Sequence, residues 1–123
     1  MTIAGTVIAA VISAALVWIG IRFLVVPRAA AAGYGIPADP DGDAGTYLSV
    51  KGNRDLACAL MIAVPLILGA HTVAGWILFA GSVAAFADCL TVLRRGGPKI
   101  VAYAVHAGTG VLAVVGGLLL LLG

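Results

Sequence analysis

Charge in this chain is segregated so strictly along the sequence that few folds can hold it. Four apolar segments alternate with shorter polar connections. Arg22, Arg28, Lys51 and Arg54 sit at or between the first two segments, and Arg94, Arg95 and Lys99 at or between the last two. The amino terminus, the 69–75 connection and the tail after Leu118 carry no charged side chain. Threaded through a bilayer, all seven Lys and Arg residues and all five Asp fall on one side. Positively charged loops are retained in the cytoplasm. The pattern therefore predicts cytoplasmic charged loops and extracytoplasmic termini, in an integral membrane protein of the bacterial inner (plasma) membrane.

Composition excludes the main competitors. Hydrophobic residues make up 63% of the chain and charged residues 10%, with a mean hydropathy of +1.17. A soluble domain needs more charge to cover its surface. A length of 123 residues fits about four spans of roughly 20 residues and leaves no room for a separate soluble domain. Residues 1–123 thus read as a single transmembrane domain. The formal charge of +2 is too small and too confined to loops for nucleic-acid binding. The basic loops suit anionic membrane lipids instead.

The segments run from about 3 to 26, 54 to 71, 73 to 93 and 100 to 122, with a cytoplasmic-side loop over 27–53. The first is not read as a cleaved signal peptide: no basic residue precedes it, it is too long, and it contains Arg22. Pro65 predicts a kink in the second. Gly96-Gly97-Pro98 predicts a tight hairpin between the last two. The expected fold is all-α, a compact antiparallel bundle of four transmembrane helices. Small residues recur at four-residue spacing: Gly81, Ala85 and Cys89, then Ala80, Ala84 and Asp88, with Ala104 and Gly108 or Ala10 and Ala14 elsewhere. Such stripes let helices approach closely in lipid. They suit an internal contact or a homodimer equally well.

Several chemistries are absent from the pattern. Asp39, Asp41 and Asp43 alternate as in a calcium loop, but Pro40 interrupts and no Glu follows. A solvated turn is expected there, and no metal site. There is no glycine-rich phosphate loop, nucleophile elbow or zinc signature, so no cofactor is implied. Cys58 and Cys89 lack paired spacing and read as small packing residues.

The ionisable residues nearest hydrocarbon carry the most information. Asp88 lies roughly 8 Å inside the third segment at about 1.5 Å per residue, and His106 about as far inside the fourth. Arg22 closes the first, and Arg54 and Asp55 open the second. Such groups are costly in lipid unless paired, and they face the bundle interior. One cluster is expected, in which Arg54 or Arg22 pairs with Asp55 or Asp88 and His106 bonds to a carboxylate. It has two readings. In one it is structural polar glue between helices. In the other it is a catalytic site of His106, Asp88, Asp55 and Arg54, in which His106 and Asp88 move protons while Arg54 and Asp55 position them. Arg22, Tyr47 and Asn53 are then the candidates to bind the polar end of a substrate.

Gly33-Tyr34-Gly35-Ile36-Pro37, Tyr47-Leu48, Lys51-Gly52-Asn53-Arg54-Asp55-Leu56-Ala57, Asp88 and a late His106 make most of the chain similar to the small four-span proteins of domain-of-unknown-function family 4267. Cys58 and Ala59 depart from the glycine usual after Leu-Ala. The resemblance implies a four-helix membrane fold and a grouping of Arg54, Asp55, Asp88 and His106. It implies no activity. Three functions remain: an acid–base isomerase or cyclase acting on a lipophilic small molecule, a structural or partner-binding membrane protein, and a small dimeric exporter. The last normally needs an ionisable residue near the membrane midplane, and none is placed there.

Overall fold

A computed structural model describes residues 1–123 and is entirely helical. The helices are α1 (Thr2–Val25), α2 (Pro27–Tyr34), α3 (Ala44–Ile67), α4 (His71–Arg94) and α5 (Val101–Leu122). Of these, α1, α4 and α5 are long and apolar enough to cross a membrane. The fourth long helix, α3, begins at Ala44, directly after the acidic turn, and not near Arg54 as the sequence suggested. Its first turns are polar, which masked them in a search for apolar runs. Lys51, Asn53, Arg54 and Asp55 therefore lie within a helix and do not cap one. His71 opens α4 and does not end the preceding helix.

The loop expected over 27–53 is also partly helical. Pro27 at the first position of α2 sets the backbone for a helix and removes an N–H that would have no partner. At the other end Gly35 adopts φ 102°. Its N–H bonds to the Ala32 carbonyl at 3.1 Å, and that of Ile36 to Ala31 at 3.3 Å. This pair of reversed bonds is a Schellman stop. It leaves the Tyr34 carbonyl facing the bundle.

Two glycine pairs set the antiparallel register. A Cβ on Gly20 would lie 2.9 Å from the Gly52 carbonyl oxygen, and one on Gly52 would lie 2.9 Å from that of Gly20. Gly75 and Gly117 bring α4 and α5 together in the same reciprocal way, at 3.1 and 2.9 Å. Backbones in contact maximise dispersion where no hydrophobic exclusion operates. The Ser13 hydroxyl donates to the Ala59 carbonyl at 2.9 Å and further ties α1 to α3. A core of Ala9, Ile12, Ile62, Ala74, Leu78, Ala113 and Leu120 fills the uncharged end. By contrast α3 and α4 touch only sparsely.

The expected small-residue seam on α4 has a different role. A Cβ on Gly81 would meet nothing within 4 Å, and Ala80 and Ala84 are exposed. Those residues leave a space where close packing was expected. Gly52→Ala should therefore destabilise the protein by about 1–3 kcal/mol, because the opposing atom is a carbonyl oxygen that cannot swing aside. Gly81→Ala should be neutral or stabilising by up to ~1 kcal/mol through helix propensity. Melting temperatures of the two variants in one detergent test this, and equal losses would refute the assignment.

Candidate functional site

The space between α3 and α4 is a cavity of about 360 Å³, reaching α1 and α5 behind them. Its walls are mostly aliphatic. At its charged end it is lined by Tyr34, Lys51, Asp55, Asp88, His106 and Thr109.

Asp55 is nearly buried, and its charge is met from within its own helix. The Lys51 ammonium, one turn earlier, donates to both carboxylate oxygens at 3.1 and 3.0 Å. The same nitrogen sits 5.1 Å from the ring centres of both Phe23 and Tyr34. Each aromatic face adds a cation–π attraction, so the pair is enclosed by α1 and α2. The expected partner was Arg54 or Arg22, and Arg54 was the nearer in sequence. That residue is exposed and in no ion pair, because on α3 it falls on a different face from Lys51 and Asp55. Arg22 is half-buried but neither pairs with a carboxylate nor lines the cavity. Tyr47 and Asn53 are exposed and outside it.

His106 bonds to a backbone carbonyl, where a carboxylate was expected. Its Nε2 lies 2.8 Å from the Tyr34 oxygen, left facing the bundle by the Schellman stop. A carbonyl can only accept, so Nε2 carries a proton, and Nδ1 is the atom left as base in the tautomer this bond selects. The Tyr34 and His106 rings also meet edge to face at 4.5 Å. Nδ1 has no hydrogen bond, and no buried side-chain nitrogen or oxygen lacks a partner. Nδ1 is therefore open to water.

Backbone irregularity delivers His106 to this position. The first seven residues of α5, Val101–Ala107, form a π-helix, and the Gly108 N–H reaches five residues back to Tyr103. Ala102 and His106 are buried within this stretch. π-helical turns are uncommon and concentrate at functional sites.

Asp88, half-buried on α4, has no basic partner. Burial, then the negative charge of Asp88 and that of Asp55, push the Tyr34 hydroxyl above its ordinary range. It stays protonated. The structure thus brings Asp55, Asp88 and His106 to one cavity, adds Lys51, Tyr34 and Thr109, and leaves Arg54 out. Lys51 had a signal in the sequence, its i,i+4 spacing to Asp55. Tyr34 had only its place in the Gly33-Tyr34-Gly35-Ile36-Pro37 motif of the family resemblance. Outside the cavity, Arg28 binds Asp39 at 2.8 Å and Asp41 at 3.2 Å, which makes the acidic turn a solvated clasp.

Lys51→Ala should leave Asp55 unmet in a largely apolar site. The expected loss lies between the surface and buried limits, about 1–3 kcal/mol, or roughly 5–10 °C in melting temperature. Arg54→Ala should change it by no more than about 2 °C. Thermal denaturation of both variants checks this, and the opposite order would restore Arg54 as the partner.

Comparison with known proteins adds family membership. No curated protein and no solved structure matches the chain. Residues 13–120 match the family described as Domain of unknown function (DUF4267). That match spans every lining residue of the cavity except Ile12 and nearly the whole bundle, and the chain belongs to this family.

Proposed function

We propose that this chain is a four-span integral membrane enzyme of the plasma membrane that performs acid–base isomerisation or cyclisation on a lipophilic small molecule. The observation that carries the reading is the pairing of two open groups, the His106 Nδ1 and the Asp88 carboxylate, in one largely aliphatic cavity. Groups that serve only structure are satisfied by one another, as Lys51 and Asp55 are, and these two groups are not.

The chemistry follows from the donor set. Nδ1 of a neutral imidazole accepts a proton from substrate carbon or oxygen near neutral pH. The imidazolium so formed, stabilised by the charge of the Asp88 carboxylate, returns the proton elsewhere on the same molecule, and the Tyr34 hydroxyl donates to an oxygen that gains charge between the two events. One proton leaves and one arrives, so product and substrate have equal mass. His106 and Asp88 are the proposed catalytic residues, with Tyr34 as electrophilic donor. Asp55 is a positioning residue held by Lys51.

The membrane assignment rests on α1, α4 and α5 as spans and on α3 running antiparallel to α1 across the Gly20–Gly52 crossing. At 24 residues, α3 is ~36 Å long, sufficient to cross. The charged end, with the cavity's polar groups, is proposed to be cytoplasmic and both termini extracytoplasmic. A carboxyl-terminal alkaline phosphatase fusion should be active and a fluorescent protein fusion at the same place dark. The reverse result would invert the orientation.

The catalytic reading predicts a pair of equal-mass compounds in organic extracts of cells with and without the protein, one lost and one gained. His106→Gln and Asp88→Asn should each slow the conversion by about 10²–10⁴-fold, the usual contribution of a general acid or base. Their melting temperatures should stay close to that of the parent. If lost conversion tracks lost stability at both positions, the cavity is structural and no enzyme need be invoked.

A further inference from the structure

The cavity's charge and its opening narrow the class of ligand, and the argument rests on the reading of the cavity as a ligand site, not on catalysis. Four observations bear on it. The first is formal charge. The lining residues include one cation, Lys51, and two carboxylates, Asp55 and Asp88. Lys51 is committed to both oxygens of Asp55, so in the formal count, which takes histidine as neutral, the remaining charge is that of Asp88. Secondly, no other cation reaches the space, since Arg22 and Arg54 do not line it. Nothing there can compensate a phosphate or carboxylate.

The third observation is the route of entry. Cys58 and Met61 on α3 and Ala80, Gly81 and Ala84 on α4 line the cavity and are also exposed on the outside of the bundle. They form a mouth between two helices that barely touch. This mouth faces sideways, toward acyl chains, if the bundle is threaded as proposed. Its width comes from Ala and Gly side chains where larger ones would close it. Fourth, the volume of about 360 Å³ lies at the low end of the ~300–1,000 Å³ range of ligand pockets. It suits one small amphiphile.

We infer that the cavity takes a single-chain lipophilic amine, or an equivalent cationic amphiphile, laterally through the α3–α4 mouth, with its charged head on Asp88. A cation there converts a lone carboxylate in apolar surroundings into a charge-assisted hydrogen bond. An anionic head would meet an uncompensated like charge. The apolar body lies along Ile62, Ile77 and Leu78.

Cys58 makes the inference testable, because it stands exposed at the mouth while Cys89 is buried. The protein is reconstituted in neutral phosphatidylcholine nanodiscs. The rate of Cys58 alkylation by N-ethylmaleimide is then measured with n-octylamine, n-octanol or octanoate. At about ten times its dissociation constant octylamine should slow alkylation roughly tenfold. Asp88→Asn should abolish that protection, and His106→Gln should retain it. Octanol and octanoate should protect weakly. Equal protection by octanol, insensitivity to Asp88→Asn, or better protection by octanoate would overturn the cationic assignment. Protection by none of the three would overturn the ligand-site reading itself. Loss of conversion in cells has no bearing on either result, so failure of the catalytic proposal is separately visible.

Discussion

A carboxylate held among apolar helices must be met by a cation or a set of donors, and in this protein one lysine discharges that requirement for Asp55. Lys51 contacts both oxygens and is covered by the faces of Phe23 and Tyr34. That one contact draws together three elements: Phe23 comes from α1, Tyr34 from α2, and the ion pair from α3. Placing Tyr34 there also places its carbonyl, which orients the His106 ring of α5. The histidine tautomer is therefore fixed at the end of a chain of contacts that starts with an ion pair on another helix.

Small residues do two opposed things in this bundle. Gly20 with Gly52, and Gly75 with Gly117, are spent on backbone contact and fasten α1 to α3 and α4 to α5. Gly81, Ala80 and Ala84 face no partner and keep α3 and α4 apart at the level of the polar groups. Dispersion in lipid rewards the first use. The second forgoes packing that larger side chains would supply. A fold held by two tight pairs and one loose seam can give way at the seam without disturbing either pair, which suits a site that must admit a molecule from the side.

The sequence made the gross organisation legible because charge and hydropathy report burial directly. Segregated Lys and Arg marked the polar end, and the runs around Ile8, Trp76 and Val115 marked long helices within a few residues. It failed where the deciding fact was angular. Arg54 adjoins Asp55 in sequence while Lys51 lies four residues before it, and helical phase selects the more distant one once α3 is known to begin at Ala44. The four-residue stripes on α4 looked the same whether they faced a neighbour or a void. The π-helix at Val101–Ala107 leaves no mark on composition, since it arises from how Tyr103 and Gly108 bond. Asp88 and His106 were legible as costly residues in an apolar run, and the carbonyl of Tyr34 was not, because any residue supplies one.

The two carboxylates of the cavity show how a protein can separate structural charge from available charge. Asp55 has its counter-ion one turn away on the same helix, so the pair forms as soon as α3 does and needs no other element to keep it neutral. Asp88 stands on α4 with only a phenol for company, and that phenol is kept protonated by the burial and negative charge around it. If Lys51 were mobile it could neutralise either group, and Asp88 would be no more available than Asp55. Two aromatic rings and two short hydrogen bonds prevent this. The lysine's confinement is thus what leaves one carboxylate in the cavity with charge to offer a ligand.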